Sequence, residues 1–168
     1  MREGGSAIAW LKAILESDKK QRALITVDPY GDLPYFWAGR GFSKTGYGED
    51  FYKEAMKLLS NFAYDNRVYH THFKLTSDDF MKIFDEISIY DEDKVLGKTF
   101  AFVYLDACKE QNTIAKEFEW FKKRMKSGGL IIFDDYDEIK NQEITNIVTQ
   151  HILETGQPVG GRLIYRIS

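Results

Sequence analysis

Apolar residues recur along this chain in two rhythms, and the alternation between them predicts its elements. Ile8, Leu11 and Leu15 fall at helical spacing, so residues 7–17 read as a helix with Ser6 placed to cap it. "ALITVDP" (23–29) is a short, β-branched, continuous apolar run, as expected of a buried strand, and it ends on Asp28 and Pro29. A second amphipathic helix is predicted over 49–64, with Phe51, Met56 (or Ala55), Leu59 and Phe62 on its apolar side. Strand-like alternation over 67–75 leads into a helix over 77–87, with Ser77 as its N-cap. The run at 99–107 is the next strand and ends on Asp106. The clearest helical stripe is Ile114, Phe118, Phe121 and Met125, predicting a helix over 112–129 stopped by Gly128-Gly129. "LIIFDDY" (130–136) then reads as a strand, followed by a helix over about 139–154 and a closing strand over 161–168. Residues 30–48, rich in glycine and aromatics, follow neither rhythm and read as a long loop.

Strands that alternate with helices predict an α/β fold: a doubly wound, mostly parallel sheet with helices on both faces, in one domain spanning 1–168. Ligands of such sheets sit beyond the carboxyl ends of the strands. Asp28, Asp106, Asp134 and Asp135 all fall at those ends. A strand-end aspartate more plainly caps the next helix or sits solvated in a turn. Three strands ending this way, one of them on a pair, favour a shared site. Clustered carboxylates repel unless a cation or proton is shared. A hard divalent cation such as Mg²⁺ prefers oxygen ligands, so Asp106, Asp134 and Asp135 form a candidate metal set. Asp28 is a separate candidate hydrogen-bond acceptor for ribose hydroxyls.

Composition narrows the function classes. The 168 residues are 43% hydrophobic and 29% charged, ordinary for a soluble domain. A net charge of −3 gives no phosphate-backbone footprint, so no nucleic-acid partner is expected. No continuous apolar run is long enough to span a membrane, and no secretory signal is evident. The single cysteine, Cys108, excludes an intrachain disulfide and suits a reducing, cytoplasmic location.

The order of "GGSA" (4–7), "TVDP" (26–29), "LDACK" (105–109) and "SGGLIIFDDY" (127–136) resembles the class I S-adenosylmethionine-dependent methyltransferases, specifically their metal-dependent O-methyltransferase branch. The resemblance implies a Rossmann-like methyltransferase fold. Within it, Gly4, Gly5 and Ser6 match the glycine-rich turn beside the cofactor, and Asp28 matches the acid that holds the ribose. Ser77 matches, loosely, a position that contacts the adenine. Asp106, Asp134 and Asp135 match the three metal ligands of the catechol-type enzymes, and Lys109 a catalytic lysine of their D-x-x-K pattern. The "GGSA" turn and "DDY" ending look closer to bacterial sugar O-methyltransferases. Cys108 stands where the family more usually carries a second acid. The family's first strand belongs directly before "REGGS", which leads to the expectation that this chain lacks that strand.

The implied activity is methyl transfer from S-adenosylmethionine to a hydroxyl of a small molecule or sugar, assisted by Mg²⁺ or another hard divalent cation. Asp106 and Lys109 are the candidate catalytic residues, Lys109 as general base, and the aromatics Tyr35, Phe36, Trp37 and Tyr47 would cover the acceptor. Lys109 also reads simply as a solvated charge at a helix start, and the 35–37 aromatics as packed loop core or a contact between copies of a homo-oligomer. His70 and His72 share a strand face at ligand spacing but lack a third partner in sequence. A non-catalytic domain that keeps the fold is the alternative from another class. A nicotinamide-dependent oxidoreductase is a weaker rival, since no G-x-G-x-x-G is present.

Overall fold

The computed structural model describes residues 5–17, 23–30, 34–37, 41–44, 49–91, 94–106 and 109–168. The chain forms two compact units: residues 1–33 with 44–97, and residues 34–43 with 98–168. Each is mixed α/β.

In the first unit, helix α1 (Gly5–Glu16) precedes strand β1 (Ala23–Val27). Strands β2 (Pro34–Trp37) and β3 (Gly41–Lys44), which come next in the chain but fall in the second unit apart from Lys44, pair with each other, so part of the stretch read as a loop is a small sheet. Helix α2 (Glu49–Asn66), strand β4 (Tyr69–Phe73) and helix α3 (Ser77–Ile83) follow, and then the short pair β5 (Tyr90–Asp91) and β6 (Lys94–Val95). β1 and β4 run parallel, with Thr26 opposite His72. Ala7 and Leu11 of α1 pack on Leu59 of α2, while Leu15 remains exposed. Ser6 lies inside α1 rather than capping it, because the helix already includes Gly5. Ser77 is likewise the first helical residue of α3. The cap is Thr76, whose hydroxyl accepts from the Asp79 backbone N–H at 3.1 Å.

The second unit contains strand β7 (Phe100–Leu105), helix α4 (Gln111–Lys122), strand β8 (Met125–Phe133), helices α5 (Tyr136–Lys140) and α6 (Ile147–Thr155), and strands β9 (Gln157–Val159) and β10 (Arg162–Arg166). Its sheet has the order β7-β8-β10-β9, with β7 and β8 parallel and the last two pairings antiparallel. The core joins Val103, Ile114, Phe118, Ile131, Phe133, Ile139, Ile152 and Leu163. Phe118 meets Tyr165 edge-on at 4.8 Å between ring centroids. Burying each such side chain contributes roughly 1.5–3 kcal/mol.

Three predicted helices are shorter than their patterns, α3 among them, since it ends at Ile83 and not at residue 87. α4 ends at Lys122, and Met125, read as part of its stripe, begins β8 opposite Phe100. The Arg124 carbonyl accepts from the Phe100 N–H at 2.8 Å, so strand pairing captures the backbone that a longer helix would use. Gly128 and Gly129 then lie within the strand. Between the Phe100–Met125 and Phe102–Leu130 pairs β8 bulges, with Gly128 at φ 76°. A side chain at Gly129 would sit 2.8 Å from the Lys126 carbonyl. The helix expected over 139–154 is broken in two. Asn146 caps the second part, its side chain accepting from the N–H groups of Val148 and Thr149.

Candidate active site

β7 and β8 are parallel neighbours, so their carboxyl ends lie side by side. Leu105 pairs with Phe133, and the Asp134 N–H extends the ladder by donating to the Leu105 carbonyl at 2.9 Å. This pairing brings Asp106 to the Asp134-Asp135 pair. One oxygen from each of the three carboxylates lies within 4.8 Å of the other two, which makes them, among the described residues, the only cluster able to hold a metal ion. Asp106, Asp134 and Asp135 are the residues that would hold a hard cation there, which would act as a Lewis acid on an oxygen bound beside it. The donor set is all oxygen, which fits that chemistry.

Two cations already attend the cluster. Lys109 is buried, yet its Nζ stands 3.4 Å from Asp106 Oδ1 and 3.4 Å from Asp135 Oδ2. Arg162, on β10, places Nε 3.1 Å from Asp134 Oδ1 and donates to the Tyr104 hydroxyl at 3.2 Å. Burial, with Asp134 adding to it, pushes the Tyr104 hydroxyl up to about 12. Burial also raises the Asp106 carboxyl, with Lys109 pulling it down and Asp134 pushing it further up.

Asp135 sits at the N-cap of α5 but makes no capping bond, and its backbone is left-handed at φ 53°, ψ 46°. Such a conformation costs a non-glycine residue about 1 kcal/mol or more and concentrates at functional sites. Its carboxylate serves the cluster instead of the helix. Sequence reasoning missed Tyr104, Arg162 and Gln142. Tyr104 was within reach, because residues 104 and 106 share one side of an extended chain. Arg162 had no local signal; the Gly160-Gly161 turn that carries it docks by accepting the Tyr136 N–H at 2.8 Å on the Gly161 carbonyl.

The cofactor-side candidates lie in the first unit. Gly5 and Ser6 open α1, both exposed, and a side chain at Gly5 would meet nothing within 4 Å. Asp28 follows β1 and uses Oδ1 to accept the Tyr30 N–H at 2.9 Å, fixing the turn after the strand. Ser77 opens α3 after β4. Gly4, Cys108 and Tyr47 lie outside the described residues, and Tyr35, Phe36 and Trp37 fall on β2. His70 and His72 both turn onto Thr26, each with a ring nitrogen 2.9 Å from its hydroxyl. No third metal-ligating group joins them among the described residues.

Residues 1–136 match the family described as "Methyltransferase domain". The chain belongs to that methyltransferase family. No curated protein matches it in sequence. Among solved structures, it is similar to an O-methyltransferase from Bacillus cereus in complex with SAH, at 17% identity and a TM-score of 0.55, covering 99% of this chain and 71% of that one. This match shows the α/β methyltransferase fold. Two others align at a TM-score of 0.49 and 15% identity and add no weight. A putative caffeoyl-CoA O-methyltransferase from Staphylococcus aureus is matched over 99% of this chain and 72% of its own. A putative O-methyltransferase from Klebsiella pneumoniae is matched over 98% and 80%. Among the described residues, no helix of this methyltransferase is long and apolar enough to cross a membrane.

Proposed function

We propose that this protein transfers a methyl group from S-adenosylmethionine to a hydroxyl of a small molecule or sugar, with Asp106, Asp134 and Asp135 holding a hard divalent cation such as Mg²⁺. The observation that carries the reading is the convergence of these three carboxylates at adjacent strand ends in a chain of the methyltransferase family. The bound cation would lower the pKa of an acceptor hydroxyl. The acceptor oxygen forms a bond to the methyl carbon as the sulfonium S–C bond breaks, and S-adenosylhomocysteine leaves with the electron pair.

The chain's own groups orient the reactants and take the proton. Lys109, whose Nζ stands 3.4 Å from both Asp106 and Asp135, is the general base in this reading. Arg162 and Tyr104 hold Asp134 in place, a positioning role. In this reading Gly4, Gly5 and Ser6 serve the methionine end of the cofactor, Asp28 its ribose and Ser77 its adenine. Open space at Gly5 supports the first of these placements. Net charge −3 supports an acceptor other than nucleic acid, and the lone Cys108 supports a cytoplasmic setting.

Methyl transfer to a vicinal diol, followed with Mg²⁺ and with EDTA, tests the reading. Chelation abolishes turnover if the cation belongs to the site, and activity indifferent to EDTA removes it. A chain that fails to bind S-adenosylmethionine at all is the non-catalytic domain.

A further inference from the structure

We propose that Lys109 is a built-in counter-cation of the carboxylate triad, so that a divalent cation enters by exchange with its ammonium group. The inference rests on reading the triad as a cation site and goes on to say how that site is loaded. Three carboxylates this close repel one another unless compensated. Lys109 compensates two of them and Arg162 the third, which reduces a formal charge of −3 to −1 within the cluster.

The geometry of Lys109 is that of a shared, displaceable ion. Its two contacts, both 3.4 Å, exceed the ~2.7–2.9 Å of a committed charge-assisted hydrogen bond. The ammonium is therefore suspended between Asp106 and Asp135, in the region a metal ion would take. The residue is nevertheless fixed at its root. The Lys109 carbonyl accepts from Gln142 Nε2 at 2.6 Å, and the same amide nitrogen donates to the Glu138 carbonyl of α5 at 3.3 Å. The bond that fixes Lys109 is made by its carbonyl and not its ammonium, so exchange of the ammonium leaves that bond intact. Arg162 differs, because its Nε is held by both Asp134 and Tyr104 and its side chain is half exposed.

The test is Mn²⁺ binding to the full chain, followed by electron paramagnetic resonance without cofactor or substrate. Removing a unit charge a few ångströms from the site, in Lys109→Gln or Lys109→Met, tightens Mn²⁺ by about tenfold or more. Lys109→Arg keeps the charge and stays near the wild type. In the wild type, Mg²⁺ increases acetylation of Lys109 by acetic anhydride, read by peptide mass spectrometry, and this arm needs no variant to fold. Mn²⁺ affinity unchanged or weakened in the neutral variants, or Lys109 acetylation unaffected by Mg²⁺ that binds, overturns the exchange while leaving the cation site standing. Absence of Mn²⁺ binding at millimolar concentration in every form overturns both.

Discussion

The two units end their parallel strands on the same residue type and use it differently. In the first, Asp28 turns its carboxylate back on the Tyr30 N–H, and burial shifts the histidines beside it toward their neutral forms. His70 and His72 crowd onto Thr26, and burial, with His72 adding to it, depresses His70 to about 4. In the second, Asp106, Asp134 and Asp135 stay together and are matched by Lys109 and Arg162. The first pairs a lone carboxylate with its own turn, and the second gathers three. The contrast separates strand-end polarity satisfied within its own turn from strand-end charge left incompletely compensated, and the second kind is the one that would draw a ligand cation.

The largest expected effect tests the gathered charges. Asp134→Ala lowers methyl transfer on the order of 100-fold or more and weakens Mn²⁺ binding, whereas Asp28→Ala leaves Mn²⁺ binding unchanged. Initial rates and metal titration of both variants check this, and equal Mn²⁺ loss in the two would erase the contrast.

Acidification tests the neutral cluster. His70 has a folded value of about 4 against 6.5 unfolded, so the unfolded chain binds more protons between those limits. Stability from this group is complete above pH 6.5 and is lost as pH falls toward 4. The loss is at most about 3 kcal/mol from the shift alone, and roughly 1–2 kcal/mol once solvent screening is allowed for. Tyr30, Tyr52, His72, Asp28 and Lys74 surround the ring pair and are held constant by comparing wild type with His70→Gln in urea unfolding at pH 7 and 4.5. A pH slope as steep in the variant as in the wild type contradicts the assignment.

Thr26→Val removes the hydroxyl that both rings share and costs about 1–2 kcal/mol at pH 7, read by the same unfolding experiment. The smallest effect, about 1 kcal/mol, comes from Thr76→Ala, which removes the cap of α3 and touches neither cluster. Mn²⁺ affinity stays constant in both.

How much of this was readable in the sequence varies with the range of the interaction. The strand-end aspartates and the meeting of Asp106 with Asp134 and Asp135 were legible, because parallel strands in an α/β sheet place their carboxyl ends together. Lys109 was legible only through the resemblance of its D-x-x-K pattern to the family, since a lysine at a helix start reads by itself as a solvated charge. Arg162 was not, since it reaches Asp134 through antiparallel pairing of β10 with β8, which no local pattern encodes. The overrun of α4 has the same origin: Met125 suits a helical stripe, but pairing with Phe100 takes it into β8. Gly128 and Gly129, read as the stop of that helix, do not end it: α4 stops at Lys122 and the two glycines form the bulge of β8. Thr76 displaced Ser77 as the cap of α3 by a single residue, the usual scale of error at helix ends.

The central claim, that three carboxylates form one cation site in this methyltransferase, is tested most directly by a crystal structure with Mn²⁺ and anomalous scattering. The account predicts a single anomalous peak with oxygens of Asp106, Asp134 and Asp135 about 2.1 Å away, and with Lys109 Nζ moved off the triad. A peak elsewhere, or none at the triad with Lys109 still between Asp106 and Asp135 in saturating Mn²⁺, would contradict it.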